Sequence, residues 1–194
     1  MPKKEGKLRQ VAGIDDVVRH KEVEFLDNNF LALPNHIELL EGLVSRKNDF
    51  RFKFNSGLDM RLLTKESADL LKQCNYQKPF IFALDNIKDI PLVEKKLPLI
   101  HEPAAHDCMF YVYVHPSMKL SDTIRRVVFL RNNLCLPYIM RDIACSDDSW
   151  EYKQFILELY YYCNFAGYFY AHKFDEMRAK KFTEKSRQIW RENQ

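Results

Sequence analysis

Three segments of the chain end in the same dipeptide, Leu-Asp, and continue with side chains that could contact a polar ligand. They read Phe25-Leu26-Asp27-Asn28-Asn29, Gly57-Leu58-Asp59-Met60-Arg61 and Ala83-Leu84-Asp85-Asn86. A later apolar run closes with Met140-Arg141. Carboxylates accept hydrogen bonds from amines and hydroxyls, and arginine binds a carboxylate through two parallel hydrogen bonds. These residues predict a site for a ligand with amino, carboxylate and hydroxyl groups.

The apolar runs that precede these polar residues have the length and composition of β-strands, and helical patterns separate them. The predicted strands are 23–27, 50–55, 79–84, 109–114 and 136–140. Helices are predicted to begin near Pro34, at a Thr64 cap, near Ile90, at a Ser121 cap and near Trp150, with a last charged helix from Asp175 to Trp190. This alternation predicts an α/β fold with parallel strands, either a partial (β/α) barrel of about five βα units or an open sheet. The carboxyl ends of barrel strands share one face, where barrel enzymes have their active sites.

Length and composition predict a single domain with three parts. A basic N-terminal arm covers residues 1–20, the partial barrel core covers 21–145, and a C-terminal helical segment, 146–194, packs on the barrel. The net charge of +3 gives no basis for nucleic-acid binding. No apolar run reaches the roughly 18–20 residues that span a bilayer, and no apolar segment of a signal peptide follows the basic N-terminus. We therefore expect no membrane partner and a cytoplasmic location.

Each polar residue also has a simpler explanation, because Asp and Asn at strand ends form turns and cap the following helix. A second alternative is a magnesium site built from Asp27, Asp59 and Asp85. His101, His106 and Cys108 have the residue types of zinc ligands but lack a matching second half. Because that second half is missing, no zinc site is predicted. The tyrosines at 160–162 are more typical of core packing than of a stacking surface.

The five cysteines lie at positions 74, 108, 135, 145 and 163, and no two are closer than ten residues. This spacing excludes a CxxC pair and the clustered cysteines that bind iron–sulfur centres. In a reducing compartment such cysteines are expected to be small buried hydrophobic residues.

Five segments resemble, in chain order, a group of bacterial and phage-associated radical S-adenosylmethionine (SAM) proteins. They are VEFLDNNFLAL at 23–33, FNSGLDMRLL at 54–63, FALDNIKD at 82–89, 111–114, and PYIMR at 137–141, within roughly residues 1–145. The resemblance implies a six-unit partial barrel of which five units are present here. It also implies two cofactors, SAM and a [4Fe–4S] cluster, that generate a 5′-deoxyadenosyl radical. The missing first unit carries the CxxxCxxC loop, so the chain is expected to be truncated just after that loop.

The resemblance assigns the strand-end residues to parts of SAM. Asp27, Asn28 and Asn29 stand where the family has a Gly-Gly-Glu-like motif that meets the methionine amino group, and Asp59 and Arg61 end the next strand. Ribose and carboxylate contacts are implied for Asp85 and Asn86, and contacts on the adenine side for Met140 and Arg141. Two departures from the family are Asp-Asn-Asn in place of Gly-Gly-Glu, and His115-Pro116 in place of a glycine-rich turn.

The resulting expectation is a radical SAM-like domain for an unknown small-molecule or macromolecular substrate, inactive without the cluster cysteines. The alternatives are a non-catalytic remnant or binding module and a magnesium-dependent barrel enzyme. An absent first strand would expose the edge of strand 23–27, which predicts self-association.

Overall fold

The computed structural model describes residues 12–26 and 29–194. All five predicted strands are present, as β1 (Glu22–Phe25), β2 (Arg51–Phe54), β3 (Phe80–Ala83), β4 (Cys108–Val114) and β5 (Leu136–Arg141). The described α-helices are α1 (Ile14–Val17), α2 (His36–Ser45), α3 (Lys65–Gln73), α4 (Ile90–Lys96), α5 (Leu120–Asn132), α6 (Lys153–Cys163), α7 (Ala166–Ala171) and α8 (Glu184–Asn193). Short 3₁₀ helices occur at Phe30–Ala32, Ile87–Asp89, Leu97–Leu99, Pro103–Ala105, Ile143–Ser146 and Phe174–Glu176. No helix among these residues is long and apolar enough to cross a membrane.

The strands form two small sheets, so the α/β class is confirmed, whereas one continuous sheet is not observed in the described residues. β1 pairs with β2 in parallel, from Glu22 opposite Arg51 to Phe25 opposite Phe54. The other sheet has the order β3-β4-β5, and β4 and β5 are parallel. The chain divides into two compact units: unit 1 is Met1–Phe82 with Val93–His101, and unit 2 is Ala83–Leu92 with Glu102–Gln194.

In unit 1, a glycine turn after β2 determines where the polar strand end lies. Gly57 has a φ of 85°, which favours glycine because a side chain is strained there. The turn brings Leu58 into a parallel bridge with Phe82, and the Leu58 N–H donates to Ile81 O at 2.7 Å. The segment after β2 therefore lies between β1 and β3, and the order in this unit follows the chain. A doubly wound sheet would instead reverse its order at a switch point.

Aromatic rings form the core of unit 1 because β2 alternates, directing Phe52 and Phe54 to its buried face. Phe54 is 2% exposed, and its ring lies 4.4 Å from the ring of Phe30 and 5.6 Å from that of Phe52, between centroids. The hydroxyl of Tyr76 accepts a hydrogen bond from the Phe54 N–H at 3.1 Å. This contact satisfies a backbone donor beside the buried rings.

The edge of β1, through which self-association is predicted, carries charged side chains. Glu22 pairs with Arg51, and Glu24 pairs with Lys53 at 2.8 Å, both across the β1–β2 pair. Charged side chains discourage edge-to-edge pairing. Self-association through β1 stays a prediction.

In unit 2, β4 and β5 have one face covered by helices and one face open. Phe110, Val112 and Ile139 are fully buried on the covered side, which packs against α5 and α6. Pro137 lacks an N–H, and β5 tolerates it because β5 is last in its sheet order. The side chain of Asn164 covers part of this edge, accepting from Ile139 N at 2.7 Å and donating to Ile139 O at 3.2 Å.

Two predicted helix boundaries are wrong, and one cap is confirmed. Thr64 caps α3, accepting a hydrogen bond from Ser67 N. Ser121 does not cap α5, because the helix already begins at Leu120 and Lys119 is the capping residue. The predicted 175–190 helix is interrupted between 177 and 183.

The interruption of that last helix has a packing cause. Met177 and Phe182 are buried, and the Thr183 N–H donates to the Glu158 carboxylate at 2.9 Å. Thr183 then caps α8 through Ser186 N. These contacts take the place of continuous helical hydrogen bonds.

Candidate functional site at the carboxyl ends of the strands

Asp59, Arg61 and Asn29 are brought together in unit 1, and we call them the Asp59 cluster. Asp59 Oδ1 accepts hydrogen bonds from Arg61 Nε at 2.9 Å and from Arg61 N at 3.0 Å, while Oδ2 accepts from Arg61 Nη2 at 2.8 Å. Asn29 Nδ2 donates to Oδ2 at 3.4 Å. Asp27 and Asn28, predicted to share this site, lie outside the described residues.

The Asp59 carboxyl is held in its ionised form. Burial raises the pKa of this carboxyl. Together the opposing effects are larger: hydrogen bonds from the side chain and backbone of Arg61, the Arg61 charge and the Asn29 amide all lower it. The net pKa is therefore below the ordinary value of 3.8. The carboxylate is therefore ionised at neutral pH.

Asn29 has an acceptor that is unpaired among the described residues, and this is the most informative feature of the Asp59 cluster. Its Oδ1 atom is buried, and no donor reaches it from the described residues. Buried polar atoms are normally hydrogen-bonded, and an unpaired one indicates strain or an absent ligand. An acceptor beside an ionised carboxylate suits an amine, and the largely exposed Arg61 guanidinium beside them suits a carboxylate. The cluster thus has the donor and acceptor types that bind the zwitterionic end of an amino acid.

Unit 2 has its own polar group, which we call the Tyr113 cluster: Asp85, Tyr113 and Asp142. Asp85 Oδ1 accepts from the Tyr113 N–H at 3.1 Å, and the Tyr113 hydroxyl donates to Asp142 Oδ2 at 2.5 Å. Asp142 Oδ1 also accepts from Ala144 N at 2.9 Å. Asp142 directly follows Met140-Arg141 at the end of the fifth predicted strand. Sequence reasoning missed Tyr113, although the alternation of β4 indicates that Tyr113 faces away from the buried Val112.

Electrostatics link Tyr113 and Asp142. The hydrogen bond from Tyr113 lowers the pKa of the Asp142 carboxyl, and the same bond raises the pKa of the Tyr113 hydroxyl above 10. Asp142 is therefore an ionised acceptor, and Tyr113 stays protonated over the physiological range.

The buried guanidinium of Arg126 supports the Tyr113 cluster through hydrogen bonds. Arg126 is fully buried on α5, and its Nη1 donates to Leu84 O and Asp85 O, both at 2.9 Å. Nη2 donates to Tyr113 O at 3.2 Å and to the hydroxyl of Thr123 at 3.0 Å. Burial lowers the pKa of Arg126, and the carboxylates of Asp85 and Asp122 oppose that shift. Arg126 ties the residues that follow β3 to β4 and so positions Asp85 and Tyr113.

The remaining predicted residues have local roles in unit 2. Asn86 caps the 3₁₀ helix Ile87–Asp89 by accepting from Lys88 N at 3.0 Å, which is the simpler turn explanation. Met140 lies opposite Tyr113 in the β4–β5 register and is 45% exposed. The guanidinium of Arg141 lies 4.7 Å from the ring centroid of Tyr160. Among the described residues, neither side chain makes a hydrogen bond to the side chains of the Tyr113 cluster.

His106, which has the residue type of a zinc ligand, has another contact. The His106 ring packs 4.2 Å from the ring of Tyr170, between centroids, and its backbone is left-handed with a φ of 47°. Its Nδ1 lies 3.4 Å from Leu134 O. These contacts orient His106 by packing rather than by ligation.

The Tyr113–Asp142 hydrogen bond predicts a tyrosine with an unusually high pKa. In Asp142→Asn the charged acceptor is removed, and we expect the pKa of Tyr113 to fall toward 10. A spectrophotometric titration at the tyrosinate band measures this as a difference between the two proteins. Tyr113→Phe assigns the signal, and Asp147→Asn serves as an exposed aspartate control. Identical titrations of the wild-type protein and Asp142→Asn would contradict the prediction.

Comparison of this chain with protein-family models, with curated proteins and with solved structures gives no match. The two clusters and the cysteine thiols are therefore the features that bear on function. The Asp59 cluster, with its unpaired acceptor, provides the more specific chemistry.

Proposed function

We propose that this chain is a SAM-binding domain with a radical SAM-like partial barrel, and that it does not hold the [4Fe–4S] cluster with its own cysteines. Two features support the partial barrel. Chain neighbours pair in parallel in each unit, and the Leu58–Phe82 bridge keeps the strand order sequential in unit 1. Sequential order is the order of a (β/α) barrel, whereas a doubly wound sheet contains a reversal.

The Asp59 cluster is the observation that carries the proposal. Its unpaired Asn29 oxygen and its ionised carboxylate can accept hydrogen bonds from the α-ammonium group of SAM, and the Arg61 guanidinium can attract the α-carboxylate. Asn29 belongs to the Asp-Asn-Asn segment, which by resemblance meets the methionine amino group. The local chemistry and the resemblance thus favour the same ligand end.

The cysteines present do not fit an iron–sulfur cluster, which requires thiolates. Burial raises the pKa of Cys74 and of Cys135 to about 12, and it raises the pKa of the completely buried Cys163 well above 9.0. Cys108 and Cys145 are also buried. We therefore assign no reaction step to a cluster in this chain.

This mismatch favours a second candidate, a non-catalytic SAM-binding module. The two candidates differ in iron uptake. Under anaerobic reconstitution with iron and sulfide, the module is expected to acquire neither stoichiometric iron nor the charge-transfer absorption of a cluster. A stable cluster in the purified chain would exclude the module and support an enzyme.

The magnesium-enzyme alternative finds no support in unit 1. Of the three carboxylates that this alternative needs, the described part of unit 1 contains Asp59, while Asp27 lies outside the described residues. Asp85 belongs to unit 2, where its Oδ1 accepts from Tyr113 N.

Calorimetric titration tests the SAM proposal. Asp59→Asn and Asn29→Ala are each expected to weaken SAM binding about tenfold or more, because a hydrogen bond to a charged group is worth roughly 1.5–3 kcal/mol. Methylthioadenosine, which lacks the amino-acid end of SAM, is expected to bind all three proteins equally. Binding of SAM should persist at pH 5, since Asp59 stays ionised there.

The matched control is Asp69→Asn, an exposed aspartate on α3 of the same unit. It should bind SAM as the wild-type protein does. Equal SAM affinity in the wild-type protein, Asp59→Asn and Asn29→Ala would overturn the assignment of this cluster to the amino-acid end.

A further inference from the structure

A lysine ammonium in unit 2 lies among aromatic rings and takes no part in the Asp59 cluster. Lys181 Nζ is 4.5 Å from the ring centroid of Tyr161, 4.9 Å from that of Tyr168 and 5.5 Å from that of Phe165. The ring of Phe182, the next residue, is 6.0 Å away. Cations within about 6 Å of a ring centroid are attracted by the negative face of the ring. We call Tyr161, Phe165 and Tyr168 the aromatic cage.

Aromatic rings are the partners of this ammonium in the part of the chain that the structure describes. Within residues 12–26 and 29–194, no carboxylate pairs with Nζ and no hydrogen-bond acceptor contacts it. A primary ammonium has three N–H donors, which ring faces satisfy poorly compared with water or a carbonyl. A trimethylammonium group has the same charge and no N–H donors, so it loses less on leaving water. The chemistry of the cage therefore suits a methylated cation better than the lysine it holds.

The walls of the cage and Lys181 lie on different elements of unit 2. Tyr161 lies on α6, Tyr168 lies on α7, and Phe165 is the capping residue of α7. Lys181 lies outside the helices, in the 177–183 connection. The carbonyl groups of Met177 and Phe182, on either side of it in this connection, accept hydrogen bonds from Arg187 Nη1. Phe165 is 53% exposed, so solvent reaches the cage.

We infer that the aromatic cage is a binding site for a trimethylammonium group, which Lys181 occupies as an internal competitor. The site is independent of SAM binding. Its ligand is either a free small cation of the choline type or a trimethylated lysine side chain on a peptide, since both present the same group. Recognition of quaternary ammonium groups by such cages is a general use of cation–π attraction.

Titration with tetramethylammonium chloride at constant ionic strength tests this inference, followed by calorimetry or by aromatic NMR shifts. Lys181→Gln removes the competitor and is expected to bind about tenfold tighter than the wild-type protein. Lys180→Gln, an exposed neighbouring lysine, should match the wild-type protein. Tyr168→Leu in the Lys181→Gln background should weaken binding about tenfold, because one wall is lost.

Choline and a trimethyllysine peptide separate the two sources of the ligand. Equal affinity for both ligands indicates that the site recognises only the cationic group. Tighter binding of the peptide identifies trimethylated lysine on a peptide as the ligand. Circular dichroism establishes that each variant is folded, and Lys181→Met replaces Lys181→Gln if the latter is not. The inference is overturned if removing Lys181 does not tighten binding of tetramethylammonium, or if Tyr168→Leu does not weaken it.

Discussion

Replacing Arg126 with methionine is expected to lower the free energy of unfolding of unit 2 by about 3–5 kcal/mol, because a buried acceptor left without its donor costs roughly 1–3 kcal/mol and three carbonyl groups are affected. Methionine retains most of the buried aliphatic volume but none of the donors. The carbonyl groups of Leu84, Asp85 and Tyr113 would each lose a hydrogen bond inside the protein. Because the Tyr113 cluster depends on these strand ends, the Tyr113–Asp142 hydrogen bond should also weaken.

The measurement is urea unfolding followed by tryptophan fluorescence. Both tryptophans, Trp150 and Trp190, belong to unit 2, so this signal reports that unit. Arg125→Met is the matched control, since Arg125 is the neighbouring residue of α5 and is exposed. The control should change the free energy of unfolding by less than about 0.5 kcal/mol. An Arg126→Met protein as stable as the control would show that the buried hydrogen bonds contribute little.

Replacing Phe54 with alanine is expected to destabilise unit 1 by about 3–5 kcal/mol, the usual cost of removing a buried phenylalanine ring. Phe54 contacts the rings of Phe30, Phe52 and Tyr76, and these neighbours cannot all move into the space left. The loss therefore includes a cavity as well as the transfer of the ring to water.

Far-ultraviolet circular dichroism measures this change, because unit 1 has no tryptophan. Leu26→Ala is the control on the same unit, as Leu26 is 69% exposed and should matter little. The unfolding midpoint of Phe54→Leu should lie between those of Phe54→Ala and Leu26→Ala, since leucine fills part of the cavity. Equal unfolding midpoints for Phe54→Ala and Leu26→Ala would contradict the packing described for unit 1.

The strands and most helices could be predicted because their signals are local. β4 alternates over seven residues, and Thr64 caps α3 with its own side chain. The split of the last predicted helix depends on a contact between Thr183 and Glu158, which are distant in sequence. No helical pattern contains that information.

The candidate site was predictable in its residue types and less so in its connections. Asp59 and Arg61 are two residues apart, so the sequence itself favours their pairing. Arg126 was missed because an arginine on an amphipathic helix is ordinarily exposed. Two of its acceptors, the carbonyl groups of Leu84 and Asp85, lie 42 and 41 residues away along the chain. The aromatic cage was missed for a similar reason: Lys181 reaches its rings only after the chain has turned back.

The interleaved division of the chain has a consequence for its synthesis. Residues 83–92 belong to unit 2, yet they leave the ribosome before 93–101, which complete unit 1. Translation at roughly 5–20 residues per second thus delivers a piece of the later unit before the earlier one is complete. Nascent unit 1 is expected to become resistant to protease only after residue 101 has emerged, and a nascent chain stalled at residue 82 should remain cleavable.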